Sequence, residues 1–89
     1  MKIVIADDHG IVRSGIRLLL ERQPDLEVIA EAADGIEARD LVVSERPDLA
    51  ILDVKMPGLT GLQATREIKS QAPEVSILML SMHDDERYL

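Results

Sequence analysis

The sequence predicts an α/β chain whose parallel sheet is wound by helices on both faces. Two observations carry that expectation. Short apolar runs alternate with longer amphipathic stretches, strand-like then helix-like, from one end of the chain to the other. The apolar runs are also continuous rather than alternating, as in strands buried on both faces.

Each element follows from its residues. Ile3-Val4-Ile5-Ala6 reads as a buried strand. From Gly10 to Arg22, Val12, Ile16, Leu19 and Leu20 recur at helical spacing, with Arg13, Arg17 and Glu21 on other faces. Pro24 and Asp25 stop that helix. Leu26 to Ala33 forms a second strand centred on Val28-Ile29-Ala30. Asp34-Gly35 is a turn, and Asp34 caps a second helix that carries Ile36, Leu41 and Val42. Pro47-Asp48 breaks it before a third strand, Leu49-Ala50-Ile51-Leu52, which ends at Asp53. Met56 to Gly61 is a loop marked by Pro57, Gly58 and Gly61. A third helix then presents Leu62, Thr65 and Ile68 on one face, and a fourth strand runs from Val75 to Leu80 and closes at Ser81. Asp84 or Asp85 is placed to cap a further helix.

Composition narrows the class. The 89 residues carry a net charge of -7, with 46% hydrophobic and 30% charged residues, a balance that suits one small soluble domain. Tyr88 is the only aromatic residue, so the core is aliphatic. There is no cysteine, which excludes disulfides, thiolate metal sites and a Cys nucleophile. The longest apolar runs, such as Ile77 to Leu80, are too short to span a bilayer. The start of the chain reaches Asp7 before a signal-peptide core can form, so a cytoplasmic protein is expected. The acidic balance argues against these residues gripping nucleic acid.

The chemistry gathers at strand ends. Asp7 and Asp8 follow the first strand and Asp53 follows the third. In open α/β sheets, ligands bind beyond the carboxyl ends of strands, where the strand order reverses. If the first and third strands are neighbours there, the three carboxylates share a pocket. They repel one another, and unassisted one would take up a proton. A divalent cation resolves the conflict, and hard oxygen donors suit Mg²⁺. A strand-end carboxylate beside such a cation can attack phosphorus to form an acyl phosphate, which makes Asp53 the nucleophile. Ser81 is placed to answer the added charge with its hydroxyl. The plainer readings are turn or cap residues for single Asp residues, and an ordinary strand end for Ser81. The adjacent pair Asp7-Asp8 after a buried strand fits those readings poorly.

Ile5-Ala6-Asp7-Asp8-His9, Leu49 to Gly58 with Asp53 at its centre, and Leu80-Ser81-Met82-His83 together resemble the motifs of bacterial two-component response regulators. Asp8-His9, Val12-Arg13-Ser14-Gly15 and Ser81 to Asp85 resemble the subfamily with a LuxR-type helix-turn-helix output domain. The resemblance spans the whole chain. It implies a flavodoxin-like, doubly wound parallel sheet of strand order 2-1-3-4, with residues 1–89 an incomplete receiver domain. The fifth strand, the last helix and a lysine after that strand are not reached, and no output domain is present. It implies that Asp53 accepts phosphate from a sensor histidine kinase, with Mg²⁺ held by Asp8, Asp53 and the Lys55 main-chain carbonyl, and by Asp7 through water. Ser81 would be the switch hydroxyl. Lys55 and His83 would tune phosphate lifetime; otherwise they are a surface lysine and a loop histidine. DNA would be bound only through the output domain.

Three other readings are weighed. A phosphatase with an Asp nucleophile wants a second Asp two residues on, where this chain has Lys55. Gly10 to Gly15 has P-loop glycine spacing, but Ile16 stands where lysine is needed. A non-signalling fragment would self-associate, because Val75 to Leu80 is an apolar edge strand and the first helix has no companion on its face. A dimer is the expected product.

Overall fold

The computed structural model describes residues 1–80. Its elements, in order, are β1 (Lys2–Ala6), α1 (Gly10–Glu21), β2 (Glu27–Ala32), α2 (Gly35–Glu45), β3 (Leu49–Asp53), α3 (Gly61–Gln71) and β4 (Ser76–Leu80). All strand pairs are parallel and the sheet order is β2-β1-β3-β4, as expected. Val75 lies just outside β4 yet is fully buried, and Leu26 and Ala33 flank β2 rather than belonging to it. The predicted cap at Asp84 or Asp85 lies outside the described residues.

Helix starts follow local chemistry. The Asp34 side chain accepts from the Glu37 main-chain N–H, as predicted, at 2.8 Å. Thr60 and Gln63 form a reciprocal capping box at the start of α3. At the opposite end of the sheet from the acidic residues, the Lys2 N–H donates to the Asp48 side chain at 2.7 Å and the Asp48 N–H to the Lys2 carbonyl at 2.9 Å, joining β1 to the entry of β3.

Two layers of core enclose the sheet. α2 and α3 cover one face, where Val4, Ala6, Ala38, Val42, Leu52, Ala64 and Ile68 pack together. α1 covers the other, over Ile3, Ile5, Val28 and Ile51, with Ile16 and Leu20 half-buried against them. Three apolar expectations are corrected. Leu62, Leu19 and Ile36 are exposed rather than facing the core. α3 seats on the sheet through Gly61, Ala64 and Ile68, and Leu62 points about 100° round the helix from Gly61. Leu19 and Ile36 likewise fall off the stripe that meets the sheet.

β2 carries one irregularity. Ile3 pairs with Val28 but Val4 pairs with Ala30, so Ile29 has no partner on β1. Ile29 and Ala30 both lie against the α2/α3 core, and Glu31 then pairs with Ile5, on the α1 face.

Candidate metal centre

Adjacency of β1 and β3 assembles the site. Ala6 is in register with Leu52, so the residues that follow, Asp7 and Asp53, leave the sheet side by side. Asp7 and Asp53 are the two buried charged residues among those described, only 2% and 4% exposed, while Asp8 is exposed. One ligand atom from each of Asp7, Asp8, His9 and Asp53 lies within 4.8 Å of all the others. The convergence expected for the three aspartates is therefore present, with an imidazole added.

The electrostatics express the crowding. Burial pushes the Asp53 carboxyl above its ordinary value, and the charges of Asp7 and Asp8 push it the same way. Neighbouring main-chain N–H groups, that of Lys55 first, oppose that shift. His9 Nδ1 sits 3.1 Å from Asp7 Oδ1 and 3.0 Å from Asp8 Oδ1. These bonds, Asp7 first, raise the His9 pKa. The His9 main-chain N–H also donates to Asp7 Oδ1 at 2.8 Å. A divalent cation would relieve the same repulsion more fully, and an all-oxygen carboxylate set fits a hard ion such as Mg²⁺.

The surroundings hold the carboxylates in place. The Asp7 N–H donates to the Ala32 carbonyl at 3.1 Å, and Arg13 Nη1 donates to the Asp7 carbonyl at 2.6 Å. Beyond Asp53, the Val54 N–H donates to the Leu80 carbonyl at 3.0 Å and the Gly61 N–H to the Val54 carbonyl at 2.9 Å. Gly61 is required by contact: a Cβ there would lie 2.3 Å from the Asp53 carbonyl oxygen. The loop between them is pinned to α2 by the Gly35 N–H, which donates to the Pro57 carbonyl at 3.1 Å.

Lys55 is exposed, and its main-chain N–H acts on the Asp53 carboxyl by opposing the rise in its pKa. Ser81 and His83 lie outside the described residues. His9 and Arg13 are site neighbours to which the sequence assigned no role at the site. In the sequence they stand out only as members of the motifs Asp8-His9 and Val12 to Gly15. A groove lined by Ile36, Leu41, Pro57 and Asp40 lies on α2, away from the carboxylates.

Comparison with known proteins bears on the whole chain. The family model described as "Response regulator receiver domain" matches residues 3–89. The oxygen regulatory protein NreC of Staphylococcus epidermidis is 56% identical over 90 aligned positions, which cover 100% of this chain and 41% of that protein. NreC of Staphylococcus aureus is 52% identical, with 100% of this chain and 42% of the relative covered. The chain thus spans about 41% of the length of the first of these relatives. Among solved structures, a LuxR-family two-component response regulator from Aurantimonas superposes with a TM-score of 0.89 at 41% identity, covering 98% of this chain and 62% of that one. The signal receiver domain of the putative response regulator NarL from Mycobacterium tuberculosis gives a TM-score of 0.90 at 34% identity, covering 97% and 69%.

Proposed function

The chain belongs to the response regulator receiver domain family, and from that premise we propose that it accepts a phosphoryl group on Asp53 from a sensor histidine kinase. The observation that carries the proposal is the convergence of Asp7, Asp8 and a buried Asp53 at the carboxyl end of neighbouring strands. An Asp53 carboxylate oxygen attacks the phosphorus of a phosphohistidine. The new O–P bond forms as the N–P bond breaks, and the imidazole leaves with the electron pair and takes up a proton. Asp7, Asp8 and Asp53 would hold Mg²⁺, which would supply charge neutralisation for the phosphoryl oxygens. The Lys55 N–H favours the ionised form of the attacking carboxylate.

Further roles rest on position within the matching motifs. The Lys55 carbonyl is a further metal ligand, Ser81 the switch hydroxyl, and the side chains of Lys55 and His83 set how long the phosphate persists. Residues 1–89 serve as part of a receiver domain. The partner kinase acts on it in the cytoplasm, and a DNA-binding output domain in the longer protein reads the modification. No helix among the described residues is long and apolar enough to cross a membrane. The unit performs no turnover of its own beyond loss of the acyl phosphate.

The test is phosphorylation by acetyl phosphate with Mg²⁺, read by intact mass. Labelling of the wild type and none of Asp53→Asn is expected; equal labelling of both would refute the assignment. A second reading has its own observation: β4 is the sheet edge among the described residues, and Leu78 on it is exposed. Self-association through that edge is expected to appear as a dimer in light scattering, and a monomer that persists at high concentration would remove it.

A further inference from the structure

We infer that Arg13 is a positioning residue for the acidic pocket, acting through the Asp7 carbonyl, with Glu31 holding its guanidinium in place. The inference rests on the reading of Asp7 and Asp8 as metal-holding residues given above.

The guanidinium makes two directed bonds. Nη1 donates to the Asp7 carbonyl at 2.6 Å and Nε to Glu31 Oε1 at 2.9 Å. A planar fork bound at two points leaves little freedom to either partner. Glu31 is itself held, because its other oxygen accepts from Arg17 Nη1, and Arg17 Nε donates to Glu21 Oε1 at 2.6 Å. Arg17 first, then Arg13, keeps the Glu31 carboxyl below its ordinary value despite partial burial.

What the fork grips decides its role. The Asp7 carbonyl belongs to the rigid peptide plane that joins Asp7 to Asp8. The plane before Asp7 is already anchored, since the Asp7 N–H bonds to Ala32. Gripping the next plane fixes where the Asp8 backbone stands relative to Asp7, and so how the two carboxylates face each other. Asp8 is exposed and follows the last residue of β1 by two positions, so the strand ladder does not do this. A salt bridge that served only to tie α1 to β2 would need Glu31 alone.

Charge and geometry predict opposite signs. Deleting a cation beside three carboxylates, by charge alone, strengthens the binding of a divalent cation. Deleting a positioning group weakens it. Arg46 supplies a matched control at the far end of the sheet. It makes the same pair of contacts, to the Glu74 carboxylate at 2.5 Å and the Gln71 carbonyl at 3.2 Å, away from the site.

The experiment titrates Mg²⁺ into the 89-residue chain by calorimetry, and follows amide exchange at Asp7 and His9 by NMR without metal. Arg13→Met is expected to weaken Mg²⁺ binding about tenfold, the range seen when outer partners of metal ligands are lost. Arg13→Lys, which can reach the carbonyl but cannot fork, recovers part of the loss. Arg46→Met changes affinity by less than about twofold, as for an exposed ion pair. Exchange at His9 speeds up in Arg13→Met and not in Arg46→Met. Unchanged or tighter Mg²⁺ binding by Arg13→Met, or equal weakening by Arg46→Met, would overturn the inference. If the wild type binds no Mg²⁺, the metal reading fails instead. The exchange data still decide Arg13, since unaltered His9 exchange in Arg13→Met rejects its positioning role.

Discussion

The two faces of the sheet are built on different plans. The face under α2 and α3 is lined largely with small residues, among them Ala6, Ala32, Ala50, Ala64 and Ala72, and its core residues are almost completely enclosed. The face under α1 is lined with Ile3, Ile5, Val28 and Ile51, and α1 itself buries none of its residues. Ile11 is 90% exposed and Leu18 68% exposed, although both are as apolar as anything in the core. Burial on α1 follows which side of the helix meets the sheet: Ile16 and Leu20 face it, and Ile11 and Leu18 lie on the far side from Leu20.

Substitutions can break or sharpen that contrast, beginning with the largest effect. Ile68→Ala, in the enclosed layer, is expected to cost about 2–5 kcal/mol. Leu19→Ala on α1 should cost no more than about 0.5 kcal/mol. Urea denaturation measures both, and equal losses would show that α1 is as tightly seated as α3.

Next comes one substitution with opposite outcomes on the two sides. A Cβ at Gly35 would lie 1.9 Å from the Leu59 carbonyl oxygen, whereas one at Gly15 meets nothing within 4 Å. Gly35→Ala should destabilise by about 1–3 kcal/mol through forced displacement of the loop. Gly15→Ala should stabilise by about 0.5–1 kcal/mol through helix propensity. Loss of stability in Gly15→Ala would reveal a neighbour on the α1 side.

The smallest effect belongs to the carboxylates between the faces. The folded-state pKa of Asp53 is raised above its ordinary 3.8 by burial and by Asp7. A raised carboxyl contributes stability below its unfolded value and loses it as pH rises through the folded value. Asp53→Asn is therefore expected to be slightly more stable than wild type at pH 7 without metal. The gain should fade toward acid, and saturating Mg²⁺ should shrink or reverse it by stabilising only the wild type. A variant no more stable than wild type at neutral pH would remove the carboxylate conflict as an explanation.

The contrast also marks what could be read from the residues alone. The Asp34 cap was legible in the residues, whereas the strand order came with the family resemblance, and the meeting of Asp7, Asp8 and Asp53 depended on that order placing the first and third strands side by side. Leu62, Leu19 and Ile36 were misplaced because periodicity marks large apolar residues, while α3 seats on Gly61 and Ala64. Arg13 was illegible for another reason. Its target is a carbonyl oxygen, which every residue possesses and no side-chain pattern advertises.

The unpaired Ile29 has a consequence for that arginine. A strand deals its side chains alternately to left and right, and one surplus residue reverses the deal for everything after it. Because Ile29 is skipped, Glu31 is dealt to the side where Arg13 and Arg17 wait, and Ala32 to the crowded side. Pair Ile29 with Val4 instead and the hand reverses: Glu31 moves opposite Ala6, its carboxylate falls beneath α2 among aliphatic side chains, Arg13 loses its counter-ion and Arg17 keeps only Glu21. A single uncounted residue in an outer strand thus sets the handedness of a charge relay that ends at the acidic pocket.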